Sequence, residues 1–495
     1  MKASLIIDKD FKVAEVDKRI YGSFIEHLGR AVYGGIYEPG HPAADKNGFR
    51  LDVIKLIKEL GVSIIRYPGG NFVSAYNWED GVGPKENRPV RMELAWRDLE
   101  TNEFGTNEFA EWSALADTEI MMAVNLGTRG ADAARNLVEY CNHSGGTYYS
   151  DLRKSHGVEQ PHNIKLWCLG NEMDGPWQMG AKTADDYALL ARETAKMMKG
   201  VDPTIELIVC GGCVWDFPGL KNWDETVLDQ TYDYVDYIAK HQYFNSCMED
   251  DATFLAQTMR MDNLIKTTAA LCRFVKGKFR KQKDIHISFD EWNAWYIDDE
   301  VEGDGINWKT APARLENEFT LRDALLVGSI LITLLKNSDT VKIACLAQLV
   351  NVIAPIMTQD GGDAWKQTIF YPFLHAAKYG RGTVMGTVVN SPVYDCENIG
   401  DVPYLDCTVV HNQEKDELVV FALNRSLDDE IIIDCNFRGF EGVTLIEHTE
   451  LYSDDLKAVN TINADAVVPQ SANSTDPAQI VLKKHSWNVI RLGVS

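Results

Sequence analysis

The chain runs to 495 residues, more than one ordinary domain holds, and its composition, 45% hydrophobic and 25% charged, is that of a soluble globular protein with a large core. With 73 acidic against 49 basic side chains the formal net charge is −24. No basic stretch offsets it, which excludes nucleic acid and anionic membrane surfaces as partners and fits a neutral ligand.

The opening residues, Met1-Lys2-Ala3-Ser4-Leu5-Ile6-Ile7-Asp8, hold no apolar run of signal-peptide length. The longest near-apolar run, 324–335, has 12 residues (335 − 324 + 1), short of the roughly 20 that span a bilayer. It reads as a buried helix. Ten cysteines without paired spacing, several inside apolar runs (Cys168, Cys210, Cys345), are those of a reduced, cytosolic protein. Sequons at Asn142, Asn424 and Asn473 are then chance matches.

In chain order, a strand-like segment, Ala3-Ser4-Leu5-Ile6-Ile7, comes first, and its periodicity fits pairing with a distant sheet. From about residue 15 to 380, short apolar strands alternate with helical patterns. The strands fall at 21–26, 63–67, 119–126, 164–169, 205–210, 237–243, 284–289 and 341–346, with amphipathic stretches such as 52–60 and 184–199 between them. Eight βα units predict an α/β fold, a (β/α)8 TIM barrel over 15–380, rather than an open doubly wound sheet. Past Gly380-Arg381-Gly382 the rhythm changes. Segments 404–410, 417–424, 430–434, 443–448 and 479–492 read as strands joined by polar turns, and predict an all-β sandwich over 381–495 with the N-terminal strand, 1–14, as a partner.

Catalysis in this fold sits where the strands end. Strand one delivers Glu26, strand two Arg66 and then Asn71, strand four Asn171-Glu172, strand six His241-Gln242-Tyr243, strand seven Asp290-Glu291 and strand eight Gln348. Six strands bringing polar groups to one rim is more than a structural barrel needs. Glu172 and Glu291 are the pair that glycosidic cleavage requires, one carboxyl to donate a proton and one to attack or to activate water. The apolar approach Trp167-Cys168-Leu169-Gly170 favours a neutral Glu172, and Arg66 beside Glu291 would keep that group ionised. Retention needs the two about 5–5.5 Å apart, and inversion roughly 6.5–9.5 Å.

Five ordered blocks carry a family resemblance: Gly22-Ser23-Phe24-Ile25-Glu26-His27-Leu28-Gly29, Arg66-Tyr67-Pro68-Gly69-Gly70-Asn71-Phe72, Leu169-Gly170-Asn171-Glu172-Met173-Asp174-Gly175-Pro176-Trp177, Asp290-Glu291-Trp292-Asn293-Ala294-Trp295-Tyr296 and Ala347-Gln348-Leu349-Val350-Asn351. The chain resembles the α-L-arabinofuranosidases of glycoside hydrolase family 51 over nearly its whole length. The resemblance implies a retaining double displacement, with Glu172 as general acid and then base and Glu291 as nucleophile. It also implies that Asn171 binds the sugar 2-hydroxyl, that Glu26 and Asn71 hold other hydroxyls, and that Tyr243 and Arg66 support the nucleophile. Gln348 and Trp96 would line the furanose pocket, and Trp177 and Trp295 would stack near the aglycone. The substrate implied is an arabinofuranosyl oligosaccharide, with no metal and no cofactor, and the assembly a homo-oligomer, often a hexamer.

Two rivals remain at this stage: a barrel glycosidase acting on another sugar, such as a β-xyloside or β-glucan, and a non-catalytic carbohydrate-binding protein using the Trp-rich rim. Cys210-Gly211-Gly212-Cys213 follows a strand and lacks a second ligand pair, so neither redox nor zinc chemistry is expected of it. The acidic loop 298–305 lacks calcium-loop spacing and reads as a solvated loop at the mouth of the site.

Overall fold

The computed structural model describes residues 1–213, 220–248, 250–297 and 308–494; the acidic loop 298–305 lies outside them. Eight parallel strands close a barrel: β1 (Gly22–Phe24), β2 (Ile64–Tyr67), β3 (Glu119–Val124), β4 (Leu166–Leu169), β5 (Glu206–Cys210), β6 (Tyr237–Asn245), β7 (His286–Trp295) and β8 (Val341–Leu346). Each pairs with its neighbours in sequence, and β8 returns to β1. A helix follows every strand: α1 (Leu51–Leu60), α2 (Thr106–Ala116), α3 (Ala131–Asn142), α4 (Ala184–Val201), α5 (Leu220–Thr231), α6 (Thr258–Lys278), α7 (Leu321–Lys336) and α8 (Phe370–Tyr379). All eight expected strands are present, shifted by a few residues at their ends.

The strand period of two decides what the barrel holds. Ile64, Met121, Ala123, Leu166, Cys168 and Ile208 pack together inside it. Arg66, two residues on from Ile64, is carried inward by the same alternation and is 1% exposed. Outside, the apolar faces of the helices seal against the opposite faces of the strands. The near-apolar run sits within α7, which is buried along almost its whole length. Among the described residues no helix is long and apolar enough to cross a membrane.

Beyond α8 the chain is all β, in a nine-stranded sheet that forms a sandwich around its own core. Its main strands are β9 (Thr383–Asn390), β10 (Leu405–Asn412), β11 (Glu417–Asn424), β12 (Ile431–Arg438), β13 (Thr444–Leu451), β14 (Gln479–Leu482) and β15 (Ser486–Gly493). The single run expected at 479–492 is two strands, divided where His485 takes φ +33° and turns the chain. The strand Lys2–Glu15 lies within this sheet, antiparallel to β9 and parallel to β12.

Candidate active site

β4 ends at Leu169, and Gly170 turns the chain with φ +87°, leaving Asn171 and Glu172 at the C-terminal rim of the barrel. Glu172 has φ +44°, a left-handed conformation that costs a non-glycine residue about 1–2 kcal/mol. Its carboxylate is held on both oxygens. His241 Nδ1 lies 2.9 Å from Oε1, while Trp177 Nε1 and Gln178 Nε2 donate to Oε2 at 2.7 and 3.3 Å.

The sequence put Glu291 just past its strand, but β7 runs on to Trp295 and contains it. Pairing with β6 steps from Ser288↔Ala239 to Glu291↔His241, which leaves one extra residue on β7. In a regular strand Asp290 and Glu291 would face opposite ways; the bulge re-aims them. Both now reach Arg66, whose Nε lies 3.2 Å from Asp290 Oδ2 and whose Nη1 donates to Glu291 Oε1 at 2.7 Å. Arg66 Nη2 donates to Asn171 Oδ1 at 2.6 Å, and Tyr243 Oη donates to Glu291 Oε2 at 2.8 Å.

One donor atom each of Glu172, His241 and Glu291 lie within 4.8 Å of one another. This close approach of one oxygen from each carboxyl fits the short separation of a retaining pair, about 5–5.5 Å, better than the roughly 6.5–9.5 Å of an inverting one. Burial pushes Glu291 above the usual carboxylate range, and the like charge of Glu172 adds to it against the pull of His241 and Arg66. Burial acts on Glu172 in the same direction, but bonded, charged His241 and the Trp177 N–H override it and take Glu172 below that range. Burial also works against the charge of His241, and Glu291, Asp290 and Glu172 more than restore it, raising the imidazole to about 10. The two shifts run opposite to the sequence expectation of a raised Glu172 and a lowered Glu291. The approach along β4 is apolar, as expected, but the carboxyl tip meets an imidazolium. A 2.9 Å hydrogen bond joins His241 Nδ1 to Glu172 Oε1, so the two titrate as a pair.

Opposite this pair, Glu26 is 2% exposed. Its Oε1 accepts the Phe72 N–H at 2.8 Å and the Trp96 indole at 3.0 Å, and its Oε2 accepts Gln348 Nε2 at 3.1 Å. Burial pushes the group up to about 8, with the charges of Glu291 and Glu93 adding to it against the Phe72 and Trp96 N–H bonds. Asn71 Oδ1 accepts from Gln178 Nε2, whose own Oε1 accepts from Ser74 at 2.6 Å.

These groups surround a cavity of about 710 Å³. Trp177, Trp295 and Gln348 share its wall with Glu26, Asn71 and Trp96, while Arg66 bonds to Glu291 and Asn171 bonds in turn to Arg66 and to Asn71. Two models of known families match the chain, the α-L-arabinofuranosidase 1 domain over residues 56–266 and the α-L-arabinofuranosidase C-terminal domain over 290–486. A Bacillus subtilis protein named intracellular exo-α-(1→5)-L-arabinofuranosidase 1 is 57% identical over 99% of both chains, and a Halalkalibacterium halodurans protein of similar name is 56% identical over 100% of this chain and 99% of its own. The solved structure of a family 51 α-L-arabinofuranosidase from Bifidobacterium longum superposes with a TM-score of 0.95 at 43% identity, covering 99% of each chain. The chain belongs to the α-L-arabinofuranosidases of glycoside hydrolase family 51.

Several groups that serve the site of this arabinofuranosidase were not singled out from its sequence. His241 and Asp290 are legible at the rim, but not their contacts with the carboxylates and Arg66. Gln178 follows a site motif without a periodic signal of its own, and only the fold shows it joining Asn71 to Glu172. Among the described residues the one grouping with metal-ligand spacing is Glu172, His241 and Glu291. Arg66 already supplies the positive charge there, 2.7 Å from Glu291. Cys210 and Cys213 are free thiols. Burial, with Glu172 and Asp174 adding like charge, pushes the Cys213 thiol far up, the opposite of a redox cysteine.

Proposed function

We infer that the protein is an exo-acting, retaining α-L-arabinofuranosidase that releases terminal arabinofuranosyl units from intracellular arabino-oligosaccharides or arabinoxylan fragments. The observation that carries this reading is the closely spaced Glu172–Glu291 pair in a pocket that Glu26, Asn71, Trp96 and Gln348 also line. Glu291, steadied by Arg66 and Tyr243, attacks the anomeric carbon while Glu172 passes its proton to the leaving oxygen. Glu172, now ionised, takes a proton from water, and that water displaces Glu291 from the sugar. His241 shares the proton that Glu172 gives and recovers. Asn171, Glu26 and Asn71 hold sugar hydroxyls, and Trp177 and Trp295 flank the aglycone.

The names of relatives from three organisms at 54–57% identity support a preference for the α-1,5 linkage and an intracellular site of action. Self-association is part of the same reading. Exposed apolar Phe11, Val13 and Val388 on adjacent strands favour it, and light scattering measures it. We place the boundary between barrel and sandwich at 380–381, to be read by limited proteolysis.

Hydrolysis of aryl α-L-arabinofuranoside and aryl β-D-xyloside by wild type, Glu172→Ala and Glu291→Ala tests the assignment. The furanoside is preferred strongly by wild type, and Glu291→Ala is nearly inactive. Glu172→Ala keeps more activity with a good leaving group, which needs no proton. Equal activity in all three proteins refutes the roles, and a preference for the xyloside refutes the substrate.

A further inference from the structure

The indole that walls one side of the Glu26 pocket is mounted on a turn. Arg91–Glu93 and Asp98–Glu100 form a short antiparallel hairpin between β2 and α2, and Trp96 lies in the four residues that join them, beside Arg97 at φ +59°. A two-stranded ribbon of this length is marginal by itself. Its outer face is open, with Met92 55% and Leu94 48% exposed. The carboxylate of Glu93 folds back over the turn. Its Oε1 accepts the Ala95 N–H at 2.7 Å and its Oε2 the Trp96 N–H at 2.6 Å. From that fixed backbone the Trp96 indole reaches Glu26 Oε1 at 3.0 Å.

We propose that Glu93 is a positioning residue of the furanose pocket: by holding the backbone of Ala95 and Trp96 it sets the indole against Glu26, and so governs affinity for the sugar without touching it. The inference rests on the arabinofuranosidase reading given above. Glu93 is 6% exposed, and burial, with Asp98 and Glu100 adding like charge, pushes it to about 7 against the two N–H bonds. A turn built for stability alone would not bury a third acidic group beside Asp98 and Glu100. An amide in its place would turn one acceptor into a donor facing an N–H.

The test is a double-mutant cycle with Glu93→Gln, Trp96→Phe and their combination, assayed on 4-nitrophenyl α-L-arabinofuranoside, with thermal midpoints measured alongside. Glu93→Gln is expected to raise KM about tenfold, the scale of a hydrogen bond to a charged acceptor, with kcat within about threefold and the midpoint little changed. The double variant should lose little beyond Trp96→Phe, because Glu93 acts mainly through that indole and otherwise only by its charge on Glu26. Glu93→Asp takes its place in the cycle should the amide fail to fold. A wild-type KM in Glu93→Gln, or a double variant whose losses multiply, overturns the proposal. No wild-type hydrolysis of the furanoside counts instead against the arabinofuranosidase reading.

Discussion

At the scale of single residues, the site separates its protons by environment. Burial drives Glu26 up to about 8, and the carboxylates around His241 raise its imidazole to about 10. With neutral Glu26 as the form that binds the sugar, kcat/KM is expected to fall as pH rises through about 8, while the His241 imidazole is still charged. Glu26→Gln cannot ionise, so its pH–rate profile should lose that limb and fall only nearer 10. A limb still near 8 in the variant assigns it to another group. Much of this was legible in the sequence, because Glu26, Arg66, Glu172, Glu291 and Gln348 each follow or close an apolar strand. His241 was read without its role, since an imidazole between two carboxylates is a fact of three strands meeting. Glu93 gave no signal, because its work is a contact two and three residues along its own chain.

At the scale of elements, alternation and helical spacing placed all eight barrel strands, but not the bulge in β7. Phe289-Asp290-Glu291-Trp292 carries no glycine to mark one, and the register shift shows only against β6 and β8. Helix α7 illustrates a conflict between propensity and packing. Gly328 lies in its interior, where alanine would ordinarily gain about 1 kcal/mol. A Cβ there would sit 2.5 Å from Cε3 of Trp487, a fully buried ring whose Nε1 donates to His375 at 3.1 Å. Overpacking of this kind costs about 1–3 kcal/mol, so Gly328→Ala should lower the thermal midpoint. A rise would show that the ring can move aside.

At the scale of the molecule, the same helix ties barrel to sandwich. Asp406 of β10 accepts from Ser329 and Lys336 of α7 at 2.7 and 2.6 Å and from Arg425 at 2.7 Å. Burial opposes its charge, but Arg425 and Lys336 prevail and hold it down to about 2. A carboxylate depressed in this way stabilises the fold above its unfolded value near 4, by about 2 kcal/mol, and the contribution disappears as pH falls through about 2. Asp406→Asn should therefore lower the urea midpoint at pH 7, and the gap to wild type should close towards pH 2. A gap that does not change with pH would locate the loss elsewhere.

The strand Lys2–Glu15 is flanked in its sheet by β9 and β12, residues nearly four hundred positions away. During synthesis at about 5–20 residues per second, it emerges before them and waits on the order of twenty seconds to more than a minute for those partners. Both of its edges are unpaired for that time, while the whole barrel is made and folds. Its charged residues, Lys2, Asp8, Lys9, Asp10, Lys12 and Glu15, guard its apolar positions against pairing with the wrong chain in the interval. The sandwich therefore closes after the barrel, although one of its strands is made before the barrel.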